Sequence, residues 1–209
     1  MFVKKIKLIL IIILFYQSPL YSKSTSFDNF NQKNLSKYFS GIVAFENQDN
    51  LNAINFFNSS KILLNKHDPY LKKYISSLVL GNKAPQAINV IKKNLGKNNS
   101  NFFEAYLLLI LDSIKKDNFD QANIYLSRVI DLPDQDRFNL VIMEILRQFV
   151  FVFKEKKILD NKKNFGKLSI ISETFQRCYL ADPKTESYFT NVLNDSEGDY
   201  SRYRFFYLS

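Results

Sequence analysis

Residues 102–133 read FFEAYLLLILDSIKKDNFDQANIYLSRVIDLP, and the fold is decided in this stretch. Its first half sets Tyr106, Leu107, Ile110, Leu111 and Ile114 at helical spacings of three and four, which makes one apolar stripe. Asp117–Asn118 interrupts the stripe with residues that favour turns. Phe119, Ala122, Tyr125, Leu126 and Val129 then resume it, and Pro133 ends it. The pattern predicts two helices joined by a tight turn and sharing one apolar seam.

The same pattern extends towards the N-terminus. Ala122 has counterparts in Ala87 and Ala53, at intervals of 35 and 34 residues, each inside an amphipathic stretch. A period of this length is what stacked helix–turn–helix units produce. Residues 34–66 hold the first pair: Tyr38, Ile42 and Phe45, a break at Asn47–Asn50, then Ala53, Ile54, Phe57, Ile62 and Leu64. Residues 69–97 hold the second: Leu71, Tyr74, Ile75, Leu78 and Val79, left-handed positions at Gly81–Asn82, then Ala87, Ile88, Ile91 and Leu95.

Beyond Pro133 the period stretches. Residues 136–159 read as one long helix with a stripe from Phe138 to Phe153. FVFVF at 149–153 has strand propensity, but the helical stripe continues on both sides of it. A Lys- and Asn-rich turn precedes a helix over 165–180, and Asp182–Pro183 ends it. A further helix carries Tyr188, Phe189, Val192 and Leu193, followed by Gly198–Asp199–Tyr200. The expected fold is all-α: an α-solenoid of about five helix pairs, three regular over 34–133 and two degenerate over 134–209, the last incomplete.

With five glycines and five prolines in 209 residues, the composition favours helices over a turn-rich β fold. Lys4, Lys5 and Lys7 precede an apolar run from Leu8 to Tyr16, and residues 1–22 read as a secretory signal peptide. The run is short of the roughly 20 apolar residues of a spanning helix. An uncleaved N-terminal anchor is the alternative, so the expected location is the periplasm or the inner-membrane surface. Residues 23–33 read as a flexible linker. Cys178 is the single cysteine, so no internal disulfide forms, and it is expected to be a small buried hydrophobe.

The formal charge is +9, and +6 once the leader and its three lysines are removed. Lysine pairs at 72–73, 92–93, 115–116, 156–157 and 162–163 read as solvated faces, several near helix C-termini. Binding of nucleic acid is not expected of an exported chain. A membrane-surface protein using these lysines is a third reading.

No metal-ligand spacing, glycine-rich phosphate loop or Ser-His-Asp set is visible. His67, beside Asp68 and Pro69, reads as a surface or capping residue. Asp131, Asp134 and Asp136 read as negative residues ahead of a helix N-terminus. No cofactor, metal or catalytic residue is therefore expected, and the chain reads as non-enzymatic.

These residues resemble the tetratricopeptide repeat, or TPR. That motif puts an alanine where its two helices touch, an aromatic four residues on, and a proline near the repeat's end. Ala53-x3-Phe57 matches the pair, and Gly41 lies twelve residues before Ala53, where a small residue is also expected. Ala87-x3-Ile91 and Ala122-x3-Leu126 keep the alanine and replace the aromatic with an aliphatic. Asn82 and Asp117 stand five residues before their alanines, where the motif usually has glycine. Phe175 and Pro183 keep the eight-residue separation, with Cys178 as the small residue between them. The departures are the absence of tryptophan, the insertion in the fourth unit, Ile171 for its alanine, and Tyr203 for the fifth.

The resemblance implies a right-handed superhelix and a non-enzymatic scaffold or adaptor in a bacterial cell envelope, binding a protein or peptide. It also implies a groove lined by the first helix of each pair, near Tyr38, Ile42, Lys72, Ser76, Glu104 and Leu107. The alternative for Tyr38, Ile42 and Leu107 is simple packing between helices. The apolar end Phe205–Leu208 supports two further readings. One is a homo-oligomer through that edge; the other is a helical module of a larger envelope enzyme whose catalytic part lies beyond residue 209.

Alanine at the crossing lets helix axes approach at the short end of the usual 8–10 Å. Ala87→Leu should therefore overpack the second pair and cost about 1–3 kcal/mol. Chemical denaturation measures this; an unchanged midpoint would contradict close packing.

Overall fold

The computed structural model describes residues 31–97, 100–132 and 136–194. The expected signal peptide, most of the expected linker, Pro133, Asp134, the Gly198–Tyr200 turn and the apolar C-terminal end lie outside the described residues. Within them the protein is all-α, with nine α-helices, one short 3₁₀ turn and no strand. The helices are α1 (Gln32–Glu46), α2 (Asn50–Ser59), α3 (Asp68–Leu80), α4 (Ala84–Asn94), α5 (Phe103–Lys115), α6 (Phe119–Ile130), α7 (Arg137–Glu155), α8 (Lys167–Tyr179) and α9 (Thr185–Asn194).

Local chemistry starts these helices where the sequence places polar residues. The side chains of Asn31, Asp49, Asn118 and Asp136 each accept a hydrogen bond from the backbone N–H three residues on, at 2.8, 3.2, 3.1 and 2.7 Å. Pro69 and Pro85 sit in the first turns of α3 and α4, where a missing N–H leaves no bond unmade.

One turn recurs. Gln48, Asn82 and Asp117 have φ of 62°, 59° and 54°, and each stands five residues before one of the three alanines. After each, the next N–H reaches back five residues to a helix carbonyl: Asp49 to Ala44, Lys83 to Leu78 and Asn118 to Ser113, at 2.9, 2.7 and 2.9 Å. This is the Schellman closure of a helix end. The backbone thus carries the period of the alanines independently of the side chains. Gly81, expected to be left-handed, has φ −84°; Asn82 alone supplies that conformation.

Each helix packs on its neighbours in sequence, and α1 also touches α3. Ala53, Ala87 and Ala122 are 0% exposed, and Phe57, Ile91 and Leu126, four residues on, are buried beside them. A Cβ on Gly41 would stand 2.9 Å from the Phe57 ring, so this glycine is required by the neighbouring helix. Tyr38, Phe57, Tyr70 and Tyr74 form an aromatic cluster with ring centroids 5.6–6.2 Å apart. The Tyr70 hydroxyl donates to the Phe57 carbonyl, and burial pushes that phenol well above its ordinary pKa.

Several expectations are corrected. Helix α2 ends at Ser59, and Ile62 is exposed while Leu63 is buried. Ser59 and Ser60 turn their hydroxyls back onto the carbonyls of Asn55 and Phe56, which competes with helix continuation. In α5 the buried stripe is Ala105, Tyr106, Leu109 and Ile110, and Leu111 faces out. Helix α7 ends at Glu155 rather than 159, with Lys156 left-handed behind it, and Phe138 lies outside the core. FVFVF is helical throughout.

The regular turn appears again at Ala181, with φ 52° and Asp182 N–H bonded to the Arg177 carbonyl at 3.0 Å. It joins α8 to α9, so these two form a pair, whereas the sequence reading grouped α8 with α7. Phe189 and Val192 make a small second core with Ile171 and Phe175. The α7–α8 joint mixes aromatic and polar contacts: the Phe153 and Tyr179 rings meet edge to face at 4.7 Å, buried Gln148 and Gln176 meet beside them, and Gln176 also donates to Ser172 at 3.0 Å.

Gly41→Val should destabilise the protein by about 1–3 kcal/mol through collision with Phe57. Thermal unfolding reads this; a variant as stable as the parent would mean that α1 and α2 are not in close contact.

Candidate functional site

Helices α1, α3 and α5 are the first members of the three regular pairs, and surface charges stitch them together. Lys73 of α3 donates to Glu46 of α1 at 2.7 Å, and Lys72 pairs with Glu104 of α5 at 2.8 Å. Lys72 also stands 6.0 Å from the Phe102 ring. Ser76, one turn beyond Lys72, donates to the Lys72 carbonyl at 3.0 Å. Two of the six expected groove residues therefore meet directly, and a third lies beside them. These pairs are exposed, so each is worth at most about 1 kcal/mol, and their value here is in defining a shared face.

The other three sit deeper. Tyr38 is a core residue: its ring stacks on Tyr70 at 5.7 Å, and its hydroxyl contacts His67 Nε2 at 3.1 Å. It cannot offer a flat contact to a ligand, because both neighbours cover it. Ile42 and Leu107 are half-buried and pack against the same core. His67 is the N-cap residue of α3, and its ring belongs to this cluster. The packing residues Gly41, Ala53, Phe57, Ala87, Ile91, Ala122 and Leu126 are all buried.

The lysine pairs are largely engaged within the fold. Lys92 and Lys116 both reach Asp112, at 2.8 and 2.7 Å, and Lys162 reaches Glu173 at 2.7 Å. Lys156 bonds the Tyr179 hydroxyl and stands over its ring. Cys178, expected to be buried, is exposed. Helix α8 buries Ser172 and Gln176, and Cys178 lies two residues further on, nearly half a turn round. Among the described residues no three His, Cys, Asp or Glu side chains gather as metal ligands do. No described helix is long and apolar enough to cross a membrane.

Sequence reasoning missed two surface features. On α1, Phe39 and Val43 are 59% and 60% exposed and line a shallow depression of about 480 Å³ with Phe56 of α2. Their i, i+4 spacing was a visible signal, beside the buried stripe of Tyr38 and Ile42. Between α6, α7 and the segment after α7 lies a smaller cleft of about 260 Å³ with basic residues at its mouth. It could not have been found by periodicity, because it forms where the period is broken.

No family model, curated protein or solved structure matches the chain.

Asp112 ties α4 to α5, and it supplies a test at low pH. Burial alone would raise its pKa, but hydrogen bonds and charge from Lys116 and Lys92 outweigh this and hold it below the ordinary carboxylate value. Such a group adds stability above its unfolded pKa and loses it as pH falls through the folded one. Asp112→Asn should cost about 1 kcal/mol at pH 7 and nothing once pH falls well below about 4. Stability curves of the two proteins should thus converge in acid; a gap that stays constant with pH would contradict the ionic bridge.

Proposed function

We propose that this chain is a non-enzymatic scaffold of TPR-like architecture, a stack of helix pairs that binds a protein or peptide partner in a bacterial cell envelope. The observation that carries this reading is the recurrent turn at Gln48, Asn82 and Asp117, each five residues before a buried alanine. A repeated backbone turn with the same side chain at the same crossing generates a stack, and a stack works through its extended surface. The leader-like N-terminal sequence motivates export, to the periplasm or to the inner-membrane surface.

The face shared by α1, α3 and α5 is the proposed recognition surface. Its accessible groups are Lys72, Glu104, Lys73 and Glu46, so it offers a partner alternating charges beside half-buried Ile42 and Leu107. A partner recognised this way would be a polar peptide segment carrying both signs of charge.

The double swap Lys72→Glu with Glu104→Lys keeps the ion pair and reverses the charge each helix presents. Partner recovered from envelope extracts by the wild-type chain should bind the purified protein directly and bind the swapped variant at least tenfold more weakly. Lys93→Glu, on a second helix, should leave binding unchanged. Equal binding by the swapped variant, or repeated recovery of no partner together with a measurable turnover, would contradict the proposal.

A further inference from the structure

We propose that the cleft between α6, α7 and the segment after α7 binds a medium-chain carboxylate, a linear aliphatic anion of about eight to ten carbons. Its volume is about 260 Å³. At about 30 Å³ for a group of water size, that is room for roughly nine such groups. The floor is apolar, made by Leu126, Val129 and Met143, all buried. Ile130 and Leu140 stand at its sides, 69% and 48% exposed, and an aliphatic tail laid between them would remove both from water.

The mouth selects the head group. Arg137, Arg147 and Lys163 line it against a single carboxylate, Glu144. Arg147 holds that carboxylate with two hydrogen bonds, Nε to Oε2 at 2.9 Å and Nη2 to Oε1 at 2.6 Å, and Gln148 Nε2 donates to Oε1 at 3.0 Å. Glu144 and Arg147 therefore satisfy one another. Arg137 and Lys163 are exposed and make no ion pair with any described residue. Two cations that pair with no described residue, over an apolar floor, complement an anion with an apolar tail and disfavour a neutral or cationic amphiphile.

The site stands apart from the α1–α3–α5 face and does not depend on the scaffold reading. It lies where the regular period fails. The segment after α7 supplies Lys163 at the mouth and Phe165 at the side, and an uninterrupted repeat would have neither.

The chain has two methionines, Met1 and Met143, so methyl-labelled methionine gives two NMR signals, and Met143→Leu assigns the one in the cleft. Decanoate, titrated into the full chain below its micelle concentration, should shift the Met143 methyl saturably. Decanol should bind at least tenfold more weakly. Arg137→Gln with Lys163→Gln, both at exposed positions, should weaken decanoate at least tenfold and leave decanol unchanged. An unmoved Met143 signal, equal binding of decanol and decanoate, or full decanoate affinity in the double variant would each overturn the assignment.

Discussion

The regular half of this protein depends on a small side chain at the point where two helices cross. Ala53, Ala87 and Ala122 are wholly buried, and each follows a left-handed turn by five residues. The two features constrain one another. The turn fixes where the second helix of a pair begins, and hence which residue meets the first helix at closest approach. That residue is small, and with no exposed surface a longer side chain there would have to displace packed neighbours. Gly41 answers the same constraint from the opposite side, with the Phe57 ring occupying the space its Cβ would need.

This constraint was legible in the sequence because alanine at a fixed period is conspicuous in a chain rich in large apolar residues. Asn82 and Asp117 were legible for a related reason, since Asn and Asp tolerate the left-handed region. Gln48 was not, because nothing local to glutamine favours φ of 62°. It adopts that conformation where the closure of α1 demands it. Helix faces were harder to read wherever apolar residues run together. LLLIL at 107–111 leaves the phase of the stripe undetermined, and packing on α6 selects Leu109 over Leu111. The candidate face was half legible. Charges at Lys72 and Glu104 must lie at the surface, but whether Tyr38 faces solvent or core depends on Tyr70 and His67, which approach from another helix.

Past α7 the logic of packing changes. The main core ends with Val150 and Leu146, and α8 and α9 have a small core of their own. What joins the two is the Phe153–Tyr179 ring contact and a polar seam of Gln148, Gln176 and Ser172, in which Gln176 Oε1 has no hydrogen-bond partner among the described residues. A buried amide oxygen left unpaired costs about 1–3 kcal/mol, so this seam is weaker than an apolar joint of equal area. The apolar pattern does not forecast it, since the residues buried there, Ser169, Ser172, Thr174 and Gln176, are all polar. The basic cleft lies next to this irregular joint, linked to it by the hydrogen bond from Gln148 to Glu144.

The proposed stacked architecture requires a constant step between the three regular pairs. Spin labels at Ser59, Lys93 and Arg128, all exposed and each six residues beyond its alanine, would measure this in a Cys178→Ser background. Dipolar EPR should give similar distances for 59–93 and 93–128, and a 59–128 distance approaching their sum. A 59–128 distance no longer than a single step would mean that the helices close into a bundle, and the stacked account would fail.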